Sequence, residues 1–191
     1  ILARTGDNTV VLGSVQSAGA IGGVVGGLLL SAWGGPKRRI HGVLMGMIGT
    51  SLLNTLLMGV GRSLPVWAVA SFMGAMIIPI LNGSNQAIWQ AKVAPDVQGR
   101  VFSVRRLIAQ ITAPVAMLLA GPFADYVFEP AMDVGGSLAL VFGGLVGTGP
   151  GAGMALMFII SGLLGILVGL GGYAFPLIRD VEDLLPDHDE V

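Results

Sequence analysis

Asn82, Asn85 or Gln86, and Trp89 or Gln90 recur at helical spacing, and Ser103, Arg106 and Gln110 repeat that spacing further along the chain. Amides and hydroxyls three or four residues apart share one face of a helix. Within apolar runs, such a face either hydrogen-bonds a neighbouring helix or borders a water-filled path for a solute, and both uses suit these residues. Gln16 and Asn54 stand alone and read first as packing residues. The candidate lining of a substrate cavity is Gln16, Asn82, Asn85, Gln86 and Gln110. Bond-making chemistry has little to work with. There is no cysteine, and the two histidines are His41, beside a basic triplet, and His188, near the end. Neither can reach a serine deep in an apolar run, so a nucleophile with its base is not expected, nor a metal site. The chain reads as a non-enzyme that needs no cofactor.

The elements that must carry these stripes follow from composition. Hydrophobic residues make up 53% of the chain and charged residues 11%, with a mean hydropathy of +0.82. A soluble domain carries about 25% charged residues, so the lipid bilayer is the expected partner. A net charge of −1 gives no reason to expect nucleic acid. Five runs reach the roughly 20 apolar residues that a crossing helix needs: 10–33, 40–60, 64–89, 101–124 and 152–175. None contains Asp or Glu, and none alternates as a barrel strand would. The fold class is therefore all-α, a polytopic membrane helix bundle. Its divisions are residues 1–9 before the first span, a membrane domain 10–176 with an outer loop 125–151, and an acidic tail 177–191.

Charge placement orients the bundle. Lys37, Arg38 and Arg39 sit between the first two spans, and Lys92, Arg100, Arg105 and Arg106 surround the third joint, whereas the loop after Asp125 has no Lys or Arg. The positive-inside rule puts both basic joints in the cytoplasm, with the N-terminus outside and the tail inside. In the outer loop, 138–146 is apolar but too short to cross, so it is expected to be interfacial or re-entrant. The GTGPGA run from Gly147 to Ala152 matches a dinucleotide fingerprint, yet that fingerprint requires a preceding buried strand. It reads as a flexible lead into the last helix.

Glycines mark the close contacts. Gly19, Gly23 and Gly27 form one ridge in the first span, Gly22 and Gly26 a second, and Gly42 with Gly46 and Gly165 with Gly169 repeat the spacing. In lipid, small-residue faces let backbones approach and gain dispersion contacts. They serve static packing or sliding against a partner bundle equally well. Pro79 and Pro114 fall in the same two spans as the polar stripes, where each removes a backbone hydrogen bond. In the tail, Asp180, Glu182, Asp183, Asp187, Asp189 and Glu190 accompany Val181, Leu184 and Leu185, a pattern that suits a short surface helix. Such a tail is either solvated or docked on the cytoplasmic arginines.

Two segments carry a resemblance. GGLLLSAWGGPKRR resembles the loop between the eighth and ninth helices of a major facilitator superfamily transporter; Gly27, Gly34, Lys37, Arg38 and Arg39 match, while Ser31 and Ala32 stand where the family has Asp-Arg. From Asn85 to Asp125 the chain resembles the macrolide-efflux and siderophore-export permease branch through Gln90, Pro95, Asp96, Gly99, Arg100, Pro114, Gly121, Pro122, Ala124 and Asp125. The resemblance implies helices eight to twelve of twelve, with the N-terminal helices of the same transporter as a missing partner. It also implies a multi-pass protein of a bacterial cell membrane that exports drug-like or amphipathic small molecules by alternating access. Under it, Gly27, Gly34, Lys37, Arg38, Arg39, Asp96, Gly99 and Arg100 belong to cytoplasmic loops that act in conformational change. The alternative function is a non-transporting membrane scaffold or assembly subunit, which packing glycines would serve as well.

Overall fold

The computed structural model describes residues 1–185, Asp187 and His188. Five helices are long and apolar enough to cross a membrane: α1 (Thr9–Trp33), α2 (Arg39–Val60), α3 (Leu64–Lys92), α4 (Pro95–Met132) and α5 (Ala152–Ala174). The described residues contain no strand. The protein is an all-α, multi-pass membrane bundle.

Local chemistry sets the helix ends. The Asn8 carboxamide oxygen accepts from the amides of Val10 and Val11 at 3.0 and 3.3 Å, which satisfies donors that the first turn of α1 leaves free. Gly34, at φ 81°, takes the left-handed backbone that stops α1. Proline stands in the first turn of α3 and of α4, where its missing N–H costs no helical bond.

α4 is longer than the run of apolar residues that announces it. It starts at Pro95 and passes Pro122 into a π-helical turn, Phe123–Phe128, before ending at Met132. Asp125 and Glu129 therefore lie on a helix, although the sequence reads them as loop. A wide turn directly after a proline takes up the irregularity that the ring imposes. A second π-helical turn, Ser51–Leu56, interrupts α2 and carries Asn54.

Four of the spans stack in the order α1, α3, α2, α5. A side chain at Gly22 or Gly26 would strike the backbone of Phe72 or Met76, so α1 and α3 run parallel with their main chains in contact. On the other side of α3, Gly42 meets Ser84, Gly46 meets Leu81 and Gly74 meets Asn54, an antiparallel seam with α2. α2 in turn meets α5 through Gly172 and Leu44, Gly169 and Ile48, and Gly59 and Ala155. Glycine thus lies on every seam, as close packing without a hydrophobic drive requires. Of the glycines in the two ridges on α1, Gly22 and Gly26 lie on this seam, as does Gly19 against Ser71, while Gly23 and Gly27 face open space.

α4 is held differently. Every residue in 106–123 is exposed, and the helix meets the bundle only near its two ends. Its far end joins a hydrophobic cluster of Met132, Val146, Ala152, Ala155, Leu156 and Ile159, with Leu56, Phe128, Leu138 and Phe142 against it. The short apolar segment of the loop 125–151 folds as a helix, Ala139–Val146, that buries Val146 in this cluster and leaves Leu140 93% exposed.

Candidate functional site

The two ends of α4 are fastened by different chemistry. At its start, the Arg105 guanidinium lies 4.3 Å from the centre of the Trp89 ring and 5.8 Å from that of Phe102, and donates to the Asn85 carboxamide oxygen at 3.5 Å. A cation over an aromatic face gains from the ring quadrupole. Gln98 adds hydrogen bonds to the Gln90 and Val93 carbonyls at 3.1 and 2.8 Å, so the α3–α4 joint is a small polar knot. At the other end the Glu129 carboxylate accepts from the amides of Gly151 and Met154, both at 3.1 Å. A carboxylate there caps α5 and complements its helix dipole.

Between these fastenings, two cavities open beside the bundle. One, of about 450 Å³, lies between α2, α4 and α5 and is lined by Thr55, Ala124, Asp125, Met157, Phe158 and Ser161 among others. The other, of about 660 Å³, is bordered by Leu12, Asn54, Met58, Trp67, Met154 and Phe158 with the chain before α1. Both π-helical turns reach these cavities, through Asn54 and Thr55 on one side and Ala124 and Asp125 on the other. Such turns concentrate at functional sites.

The structure places the residues singled out from sequence as follows. Asn85 joins Arg105 and Trp89 in the knot. Gln16, Asn82, Gln86 and Gln110 are exposed on α1, α3 and α4, and none of them borders the two cavities. Asn54 does border one, and its Cβ also fills the space over Gly74. The contact with Gly74 agrees with reading Asn54 as a packing residue, while its place at a cavity was not legible because one amide in an apolar run has no periodic partner. Arg105 was likewise legible only as part of a basic joint.

The basic joints have partners. Arg38 pairs with Asp183 at 2.8 Å and with Asp180 at 3.9 Å, and Lys92 with Asp187 at 2.8 Å. The tail is therefore docked, not free in solvent. The Lys92 hydrogen bond holds the Asp187 carboxyl below the usual carboxylate range, and the Arg179 hydrogen bond does the same for Asp180. Asp189 and Glu190 lie outside the described residues. Gly34, Lys37, Asp96, Gly99 and Arg100 lie at or beside the same joints, whereas Gly27 lies inside α1; Gly27, Gly34 and Gly99 have open space where a side chain would begin. Arg39 donates to the Ala87 carbonyl at 3.0 Å, which ties the start of α2 to the end of α3.

At the opposite face, Arg4 donates to the carbonyls of Gly61 and Val146 at 2.9 and 2.6 Å. Burial, and then neighbouring Arg62, lowers its proton affinity. The GTGPGA run forms the turn into α5, with Gly147, Gly149 and Gly151 all left-handed at φ 80° to 88°. A short helix, not a strand, precedes it, so the geometry of a dinucleotide loop is not present. The described residues hold no cluster of His, Asp or Glu that could bind a metal.

No protein-family model and no solved structure matches the chain. Macrolide efflux protein A of Streptococcus pyogenes is 32% identical over 108 residues, covering 56% of this chain and 26% of that protein. Macrolide efflux protein A of Enterococcus faecalis is 32% identical over 101 residues, covering 51% of this chain and 31% of that protein. The match thus spans between a quarter and a third of the curated relatives' length. Over about half its length this membrane-helix bundle is thus similar to proteins named for macrolide efflux.

Proposed function

We propose that this chain is most of the C-terminal half of a major-facilitator exporter, its helices eight to twelve, and that the whole transporter moves amphipathic, drug-like molecules by alternating access. The observation that carries this reading is the 32% identity to macrolide efflux protein A over 108 residues. The bundle supports it physically. α1, α3, α2 and α5 form a tightly seamed block, whereas 106–123 of α4 and the Gly23–Gly27 ridge of α1 stand uncovered. In the proposed transporter these surfaces, with Asn82, Gln86 and Gln110, face the other half and the pathway. Rocking of one half against the other around a midplane site then exposes that site to each side in turn.

Amide groups on otherwise apolar helices suit an amphipathic solute, which needs a few placed polar contacts against an apolar wall. The test is the substrate profile of the full-length protein. Gln110→Leu and Asn82→Leu are expected to shift which of several compounds are exported while membrane insertion and amount remain unchanged. Gln16→Leu is expected to do less. An unchanged profile with a lowered melting temperature would make these amides interhelical packing groups and defeat the cavity assignment.

A further inference from the structure

The cytoplasmic ends of α2 and α3 and the chain after α5 meet at one place. Arg38, just before α2, pairs with Asp183 at 2.8 Å. The Glu182 carboxylate accepts from the Ile40 amide at 2.9 Å, satisfying one of the donors that the first turn of α2 leaves free. Lys92, the last residue of α3, donates to the Glu182 carbonyl at 2.8 Å, to the Leu185 carbonyl and to the Asp187 carboxylate at 2.8 Å. Directly beside these contacts, His41 of α2 shares a hydrogen bond of 3.1 Å with the Tyr173 hydroxyl of α5, and the two rings stack with centroids 5.6 Å apart.

Exposed ion pairs alone contribute little to stability. Two features set this cluster apart. The Lys92 side chain is only 13% exposed and engages three oxygens. Glu182 reaches a partly buried backbone amide, where water does not easily replace it. The tail also occupies one side of a recess of about 210 Å³ whose other walls carry Lys37, Arg39 and Lys92. Without the tail, these three cations would face one another uncompensated.

We infer that residues 180–185 together with Asp187 act as an electrostatic latch that fastens the cytoplasmic end of α5 to those of α2 and α3, and that its release frees these helix ends to separate. The latch contacts named above engage neither α1 nor α4, so the device acts within the block of α3, α2 and α5. The latch is independent of what the whole protein transports.

Hydrogen exchange on the full chain in lipid nanodiscs tests it, read at the Ile40 amide and across residues 181–185. Arg38→Glu is expected to raise exchange at both places at low salt by about tenfold, the scale of a lost charge-assisted hydrogen bond. The double variant Arg38→Glu with Asp183→Arg is expected to restore protection. Raising sodium chloride to about 1 M, where the Debye length falls to about 3 Å, is expected to release the unmodified tail in the same way, which provides a reading that needs no variant to fold. Exchange across 155–172 should remain constant throughout. Protection at Ile40 and 181–185 that survives both the charge reversal and high salt, or that the double reversal fails to restore, would overturn the latch.

Discussion

A methyl group is enough to separate the two glycine ridges of α1. At Gly26 it would run into the Met76 backbone, whereas at Gly23 it meets nothing. Overpacking costs about 1–3 kcal/mol, and replacing an unencumbered helical glycine by alanine gains roughly 0.5–1 kcal/mol. Gly26→Ala should therefore lower the thermal midpoint of this chain in detergent and Gly23→Ala should leave it equal or raise it. Equal effects would mean that α1 and α3 are not in backbone contact. Both ridges are visible as spacings in the sequence, but which of their glycines meet a neighbour depends on where α3 lies, and no local pattern encodes that. Arg105 offers a second residue-scale check. Its removal as Arg105→Gln should free the Trp89 ring, and the Trp89 fluorescence of a Trp33→Phe, Trp67→Phe background should change in quenching by iodide; unaltered quenching would dissolve the cation–ring contact.

At the scale of elements, the apolar runs announce five helices because roughly 20 uncharged residues in succession have no other stable form in lipid. The extension of α4 was not legible. Asp125 and Glu129 look like loop residues until Glu129 is seen to cap α5 from across the fold, with its two amide bonds at 3.1 Å. A cap is worth about 0.5–2 kcal/mol, so Glu129→Ala should destabilise the chain by about that much and raise exchange at Gly151 and Met154 specifically. The docked tail was one of two open readings of its sequence, since acidic residues near the end fit solvent as well as basic neighbours. Its titration follows from the depressed Asp180 and Asp187 carboxyls. A carboxyl held below its usual pKa of about 3.9 contributes fully above that value and is lost as pH falls through its lowered one. The groups facing it are Arg38, Arg39, His41, Lys92, Arg179 and His188. Tail protection, corrected for intrinsic exchange, should thus persist through the usual carboxylate range and weaken only as pH falls below it; protection that acidification leaves unchanged would show that the ion pairs do not hold the tail.

For the whole molecule, α1, α3 and α5 run in one direction and α2 in the other, an alternation that a multi-pass chain requires. The proposed orientation puts Lys37 and Asp96 in the cytoplasm and Ser137 outside, and all three are exposed. In this cysteine-free chain, Ser137→Cys should react with an impermeant thiol reagent in intact cells while Lys37→Cys and Asp96→Cys should not; the reverse pattern would invert the bundle. What the sequence could not reveal is the isolation of α4, because its long apolar run looks the same whether neighbours cover it or not. That uncovered helix is the surface on which the proposed reading, transport by a larger protein, depends. The most direct measurement is therefore the steady-state accumulation of a labelled macrolide in cells making the full-length protein, beside cells making the same protein with Gln110→Leu and cells making none. Export predicts lower accumulation with the unmodified protein and a compound-dependent change with Gln110→Leu. Accumulation equal to that of cells lacking the protein, across macrolides and other amphipathic compounds alike, would contradict the exporter reading.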